Sequence, residues 1–105
     1  TVALIHRHAG LAVAAHLDRP SYSVLSQLGL FPTEAGFDAV EVSAAGRETK
    51  RDRLALLGLP LVTSSDSHFL SDVGICHTAL WVAEPTFAEL ARALRGDGGR
   101  RCSVA

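Results

Sequence analysis

Four apolar blocks of strand length recur along the chain, separated by stretches in which apolar residues follow a helical spacing. Short apolar runs bounded by turn residues are typical of strands that are buried on both faces of a sheet. The predicted strands are residues 11–15, 38–43, 59–64 and 78–82. Because helical segments alternate with these strands, the pattern predicts an α/β fold with about four mostly parallel strands.

The segments between the strands have helical periodicity and end at residues that commonly terminate helices. The predicted helices are residues 1–9, about 22–28, about 46–57 and a last helix that starts at Pro85 and Thr86. In the last helix, Thr86 and Glu89 have the spacing of a capping box. Its predicted buried face consists of Phe87, Leu90, Ala91 and Leu94. We expect residues 83–105 to form this helix and a tail that is either frayed or a short edge strand.

The bulk composition changes this picture little. The 105 residues are enough for one small domain, which we assign to residues 1–105. A hydrophobic content of 48% with 20% charged residues fits a globular protein. The net charge of −1 gives no strong signal for nucleic-acid binding, and the apolar runs are too short to span a bilayer.

Cysteine usage and the first residues suggest where the protein works. Cys76 and Cys102 are too few for a disulfide framework and form no CxxC metal pair, so a reducing cytoplasm is the expected location. No secretory signal is recognisable in the first residues. The sequence has no Met, even at position 1, from which we expect that a further segment precedes Thr1.

Polar residues with metal-binding or acid–base chemistry follow the predicted strands. His16 follows the first strand, Glu41 lies near the end of the second, and Asp66 and His68 follow the third. The carboxyl ends of parallel strands meet at one edge of a sheet, so we expect these side chains to share a rim. Carboxylate and imidazole ligands together suit Zn²⁺, Mn²⁺ and Fe²⁺.

Three motifs resemble the C-terminal half of a PHP domain, the polymerase and histidinol phosphatase superfamily. They are Ala-Ala-His16, Val-Glu41-Val, and Thr-Ser-Ser-Asp66-Ser-His68 followed by Gly74. The resemblance covers about residues 1–82 and implies the C-terminal part of a distorted (β/α)7 barrel. It also implies a complete site with two or three divalent metal ions, drawn from Mn, Zn, Fe or Mg.

The resemblance assigns roles to individual residues. It implies that His16, Asp66 and His68 are metal ligands, and Asp66 and His68 are the predicted catalytic residues. Asp66 could also accept the proton of an attacking water. Arg19 and Glu41 are the predicted substrate-binding residues, since the planar guanidinium of Arg19 suits a phosphate.

The sequence departs from the family pattern at two places. Leu17 stands where the family usually has Pro, and the N-terminal His-x-His motif with its bridging Glu is missing from these residues. His6 and His8 do form a His-x-His, but on a predicted helix that spacing separates them by roughly 200°. We therefore expect both to be surface residues.

Other interpretations of these residues stay open at this point. His16 could be a strand-end residue satisfied by a backbone carbonyl, and Asp66 could be a turn former. Glu41 and Arg19 could form an ion pair, since a carboxylate inside an apolar strand needs a partner. Trp81 and Cys76 are predicted to be core residues.

The expected function is a metal-dependent phosphoesterase that hydrolyses a phosphomonoester or phosphodiester. Its substrate would be a phosphorylated small molecule or a nucleotide, and we expect the chain to act as part of a longer PHP protein and to be inactive alone. The alternatives are a non-catalytic regulatory module that binds metal or nucleotide, and a structural domain without a site. Open strand edges predict an oligomer or pairing with an N-terminal PHP half.

Overall fold

A computed structural model of the chain describes residues 1–104. Within this range the helices are α1 (Val2–Arg7), α2 (Val24–Leu28), α3 (Arg51–Ala55) and α4 (Phe87–Arg95). The strands are β1 (Val13–Ala14), β2 (Ala39–Glu41), β3 (Leu61–Val62), β4 (Thr78–Trp81) and β5 (Arg101–Val104). Three short 3-10 turns lie at Thr33–Ala35, Leu70–Asp72 and Asp97–Gly99.

The strands form two separate sheets, which corrects the predicted fold. Strands β1, β2 and β3 form a parallel sheet in that order, with Val40 of β2 opposite Ala14 on one side and Leu61 on the other. Strand β4 is not a fourth parallel strand but pairs antiparallel with β5. Residues 1–104 form no closed barrel, so the prediction of a (β/α)7-type barrel is wrong for them.

The reason for the error lies in the last residues of the chain. The helix α4 brings the chain back so that Arg101 lies opposite Trp81 and Val104 opposite Thr78. The Arg101 guanidinium lies 4.3 Å from the ring centroid of Trp81, a cation–π contact on the outer surface. Trp81 is 46% exposed, so its prediction as a core residue is also wrong.

The hydrophobic core lies around the central strand β2. Its buried side chains are Ala14, Leu17, Val40, Val42 and Leu54. Partly buried residues of the neighbouring loops pack against them, among them Phe31 and Phe37, whose ring centroids are 5.7 Å apart. The predicted second strand contains β2, which is the most buried strand of this sheet, because the successive residues Ala39 and Val40 are both fully buried.

Helix α1 rests on the sheet through polar contacts, since none of its residues is buried. Nε2 of His6 lies 2.8 Å from Oδ2 of Asp38, which also accepts the Ala12 N–H at 2.7 Å. Burial raises the pKa of Asp38, but these hydrogen bonds outweigh it and hold the pKa below its usual value. His6 and His8 are both exposed, as predicted.

Helix α4 confirms one half of the predicted capping box. The Thr86 hydroxyl accepts the Glu89 N–H at 3.3 Å, and the helix ends at Gly96, which has a left-handed backbone. The Glu89 carboxylate instead accepts the Ala83 N–H at 2.8 Å. Glu89 is buried on this helix. Phe87, which is predicted to be buried, is 56% exposed.

None of the helices within residues 1–104 has the length and apolarity needed to cross a membrane.

Candidate functional site at the carboxyl edge of the parallel sheet

The carboxyl ends of β1, β2 and β3 bring His16, Glu41 and Ser64 to one edge. The backbone N–H of His16, two residues after β1, donates to Oε2 of Glu41 at 3.0 Å. The Ser64 hydroxyl, two residues after β3, donates to the other carboxylate oxygen of Glu41. Glu41 therefore ties three strand ends together, and it does not form the considered ion pair with Arg19.

His16 has two unusual features. Its φ of 28° is rare for a residue with a side chain, and its Nδ1 is buried without a hydrogen-bond partner among the described residues. A buried polar atom without a partner costs free energy, so such an atom needs an explanation. Either a metal ion or a proton donor would satisfy this nitrogen, and His16 therefore fits the role of a metal ligand.

Asp66 is engaged by a cation in this structure. Its Oδ2 lies 3.0 Å from Nη1 of Arg19, and the two side chains are 36% and 47% exposed. Like His16, Asp66 has a positive φ, 49°. Residues with unfavourable backbone angles concentrate at functional sites, and here two of the three predicted ligands have them.

His68 lies on the exposed loop that follows β3. Its Nδ1 is 2.8 Å from the backbone carbonyl of Asp66, so the chain itself orients the ring. The Asp72 carboxylate accepts the N–H groups of His68 and Phe69 at 3.1 and 3.0 Å. The hydrogen bond from His68 N–H, followed by that from Phe69, lowers the pKa of Asp72 below its usual value. Sequence reasoning missed Asp72, although it stands three residues after Phe69, the position from which a carboxylate can accept the N–H at the start of a helical turn.

The described residues match the implied metal centre only in part. His16 offers a free imidazole nitrogen, but no three His, Cys, Asp or Glu side chains of residues 1–104 converge on one point. The Asp66 carboxylate, the second expected ligand, is paired with Arg19. One ligand position therefore fits a metal ion, whereas the described residues do not form a multinuclear cluster.

Asp18 fastens the loop after β1 to the end of β2. Its two carboxylate oxygens accept the Ser43 N–H at 2.7 Å and the Ser43 hydroxyl at 2.6 Å. A Cβ on Gly46 would overlap Oδ2 of Asp18, so only glycine leaves room for this carboxylate. Sequence reasoning missed this anchor because Asp18 and Ser43 are distant in sequence.

A second set of hydrogen bonds ties the loop after β3 to β4. Thr63 and Thr78 form a reciprocal pair, with the Thr63 N–H donating to the Thr78 hydroxyl and that hydroxyl donating to the Thr63 carbonyl, both at 2.8 Å. The Ser65 hydroxyl donates to the Cys76 carbonyl and accepts the Gly74 N–H, both at 3.0 Å. Cys76 is buried, as predicted. The backbone that leads to Asp66 is therefore held by the hydrogen bonds of Thr63 and of Ser65.

Comparison with known families gives a match to part of the chain. Residues 50–97 match the family model described as PHP-associated. The match confirms the resemblance for a PHP-associated C-terminal region. Asp66 and His68 lie inside the matched residues, whereas His16 and Glu41 precede them. No curated protein and no solved structure matches the chain.

Proposed function

We propose that this chain supplies the strand-end edge of the phosphoester site in a metal-dependent phosphoesterase. The observation that supports the proposal most is the buried, unpartnered Nδ1 of His16, a residue whose backbone N–H donates to Glu41 at the carboxyl edge of a parallel sheet. The PHP-associated match in residues 50–97 supports the same chemistry. The substrate class is a phosphorylated small molecule or nucleotide, cleaved as a phosphomonoester or phosphodiester.

In this proposal each residue at the edge has a separate task. His16, Asp66 and His68 hold the metal ions, while Glu41 fixes the backbone of His16 through its hydrogen bond. Arg19 holds a phosphoryl oxygen with its planar guanidinium. When bound, a divalent cation supplies polarisation of a phosphoryl oxygen and an activated water.

Asp66 can offer both carboxylate oxygens to a metal ion only after it releases Arg19. Their ion pair is half-exposed, and such pairs contribute little stability, so exchange of Arg19 for a metal ion is inexpensive. The released Arg19 would then be free for the phosphate. Both carboxylate oxygens of Glu41 already accept a hydrogen bond from the protein. A direct contact between Glu41 and substrate therefore stays a prediction.

The test measures Mn²⁺ affinity by calorimetry for the chain and its variants. We expect His16→Ala and Asp66→Asn each to weaken Mn²⁺ binding by about tenfold or more, because each removes one ligand. Arg19→Gln should strengthen binding, because it frees Asp66. The matched control is His8→Ala, an exposed histidine away from the edge. Equal affinities for His16→Ala and His8→Ala would rule out the ligand role.

Activity is tested in the intact PHP-related protein with an aryl phosphate ester and Mn²⁺. His68→Ala should reduce the hydrolysis rate strongly while His8→Ala leaves it unchanged. An unchanged rate for His68→Ala at saturating Mn²⁺ would contradict its assigned role.

The second candidate is a non-catalytic module that binds a phosphorylated ligand. It is favoured by the Arg19–Asp66 ion pair, which stands where a metal ligand is expected, and by the lack of a three-residue donor group within residues 1–104. This module would bind phosphate esters through Arg19 with no metal requirement and no turnover. Binding of an aryl phosphate that persists in a chelator, without hydrolysis when Mn²⁺ is restored, would favour it.

A further inference from the structure

A cavity beside α2 and α3 adjoins the strand-end edge, with Arg19 in its lining. Its volume is about 290 Å³, close to the lower limit of about 300 Å³ that is usual for small-molecule sites. Three leucines contribute apolar lining: Leu17 and Leu54 are buried, and Leu25 is exposed to solvent. An apolar group of modest size can therefore be covered here.

The polar lining of this cavity is mainly cationic. Arg19, Lys50 and Arg53 all line it, and neither Lys50 nor Arg53 pairs with a carboxylate in residues 1–104. Asp18 also lines the cavity, but both of its oxygens accept hydrogen bonds from Ser43. The lining thus carries two cations without an anionic partner beside an apolar surface.

We propose that this cavity binds a small organic anion that joins an apolar or aromatic body to a phosphate or carboxylate group. The apolar body would pack against Leu25, the exposed leucine of the lining, and the oxyanion would contact Lys50 and Arg53. Arginine suits either oxyanion because its planar donors match both groups, and lysine adds a point charge. The site needs no metal. It shares Arg19 with the non-catalytic module considered above, but it places the oxyanion on Lys50 and Arg53 and does not rest on the phosphoesterase function.

The test titrates the chain with phenyl phosphate in the presence of a chelator, and compares inorganic phosphate, phenol and benzoate. We expect phenyl phosphate to bind about tenfold or more tightly than inorganic phosphate or phenol, because only phenyl phosphate uses both parts of the cavity. The benzoate measurement decides whether the oxyanion is a phosphate or a carboxylate. Equal affinities for phenyl phosphate and inorganic phosphate would overturn the proposal, because they would mean that the apolar lining contributes nothing.

Two pairs of variants locate the site. Arg53→Ala should weaken phenyl phosphate binding by about tenfold, whereas Arg51→Ala, on the same helix but lining a different cavity, should not. Leu25→Glu should abolish binding, whereas Leu28→Glu, on the same helix outside the cavity, should not. Circular dichroism confirms that each variant folds. Equal effects within both pairs would overturn the assignment, and because no metal is present that result leaves the phosphoesterase proposal standing.

Discussion

Gly46 is the residue at which the structure leaves least room for change. A methyl group there would overlap the Asp18 carboxylate and approach Cγ of Lys50 at 3.3 Å. We expect Gly46→Ala to lower the free energy of unfolding by about 1–3 kcal/mol, since overpacking displaces the carboxylate from Ser43. Urea unfolding measures this change.

A double-mutant cycle provides the control for Gly46. In the Asp18→Ala background the carboxylate is gone, so Gly46→Ala should cost clearly less than it does in the native chain. The same cost in both backgrounds would show that the overlap with Asp18 is not the cause.

Glu89 is the residue that should make stability depend on acid. Its side chain is 8% exposed and contacts Arg100 at 2.8 Å and Arg92 at 2.7 Å. The hydrogen bond from Arg100, with that from the Ala83 N–H, lowers the pKa of Glu89 from 4.5 to about 2. Because the pKa is lower in the folded state, Glu89 stabilises the fold above about pH 4.5, and this contribution is lost as the pH falls toward 2.

The comparison that tests this pH dependence uses Glu89→Gln. Its deficit in unfolding free energy against the native chain should be largest at neutral pH and shrink as the pH falls toward about 2. Glu84→Gln changes an exposed carboxylate of the preceding loop and serves as the control. A deficit for Glu89→Gln that does not change with pH would contradict the depressed pKa.

The strand pair β4 and β5 depends on a contact that the sequence did not predict. Arg101 lies over the ring of Trp81 at 4.3 Å on the exposed side of the pair. We expect Arg101→Ala to reduce stability by about 0.5–1 kcal/mol, the usual range for an exposed cation–π contact. Arg101→Lys should retain part of the contact, whereas Arg7→Ala, at an exposed arginine of α1, should have no comparable effect.

Trp81 is the only tryptophan of the chain, so its fluorescence reports directly on this contact. The emission spectrum should change in Arg101→Ala and stay native in Arg7→Ala. Native stability together with a native spectrum in Arg101→Ala would mean that the contact contributes nothing to the pairing of β4 with β5.

The positions of the elements could be predicted better than their partners. The predicted segments 11–15, 38–43, 59–64 and 78–82 each contain an observed strand, although β1 and β3 have only two residues. Apolar blocks mark where a strand lies, but they do not say which strand pairs with it. The antiparallel partner of β4 is β5, in which exposed and partly buried residues alternate and no apolar block is present. The sequence therefore predicts only a tail there, either frayed or a short edge strand.

The candidate site shows the same division between composition and geometry. The sequence correctly indicated that polar residues follow β1, β2 and β3, because side-chain chemistry and order along the chain are visible in it. The sequence did not show which side chains pair. Arg19 pairs with Asp66 and not with Glu41, and Glu41 instead bridges strand ends. The positive φ angles of His16 and Asp66 were not predicted either, because such angles are rare for residues with a side chain.

At the scale of the whole molecule, strand β1 is a sheet edge that the described residues leave open. In the order β1-β2-β3, strand β1 has a neighbour on one side within residues 1–104, whereas β5 lies near the far edge, where Cys102 Sγ is 3.9 Å from the Leu61 carbonyl. Val13 of β1 is 42% exposed, so the open edge carries an apolar side chain. Unpaired strand edges of this kind invite pairing with another chain.

We therefore predict that the isolated chain self-associates through β1. Light scattering should report an oligomer at high protein concentration, and Val13→Lys should shift it toward the monomer, because a charge at a sheet edge opposes pairing. Leu56→Lys changes an exposed leucine far from this edge in sequence and is the matched control. If both variants associate like the native chain, the β1 edge is not the contact. If the native chain is a monomer at every concentration, the predicted self-association is wrong. The open β1 edge would then not pair with another copy of the chain.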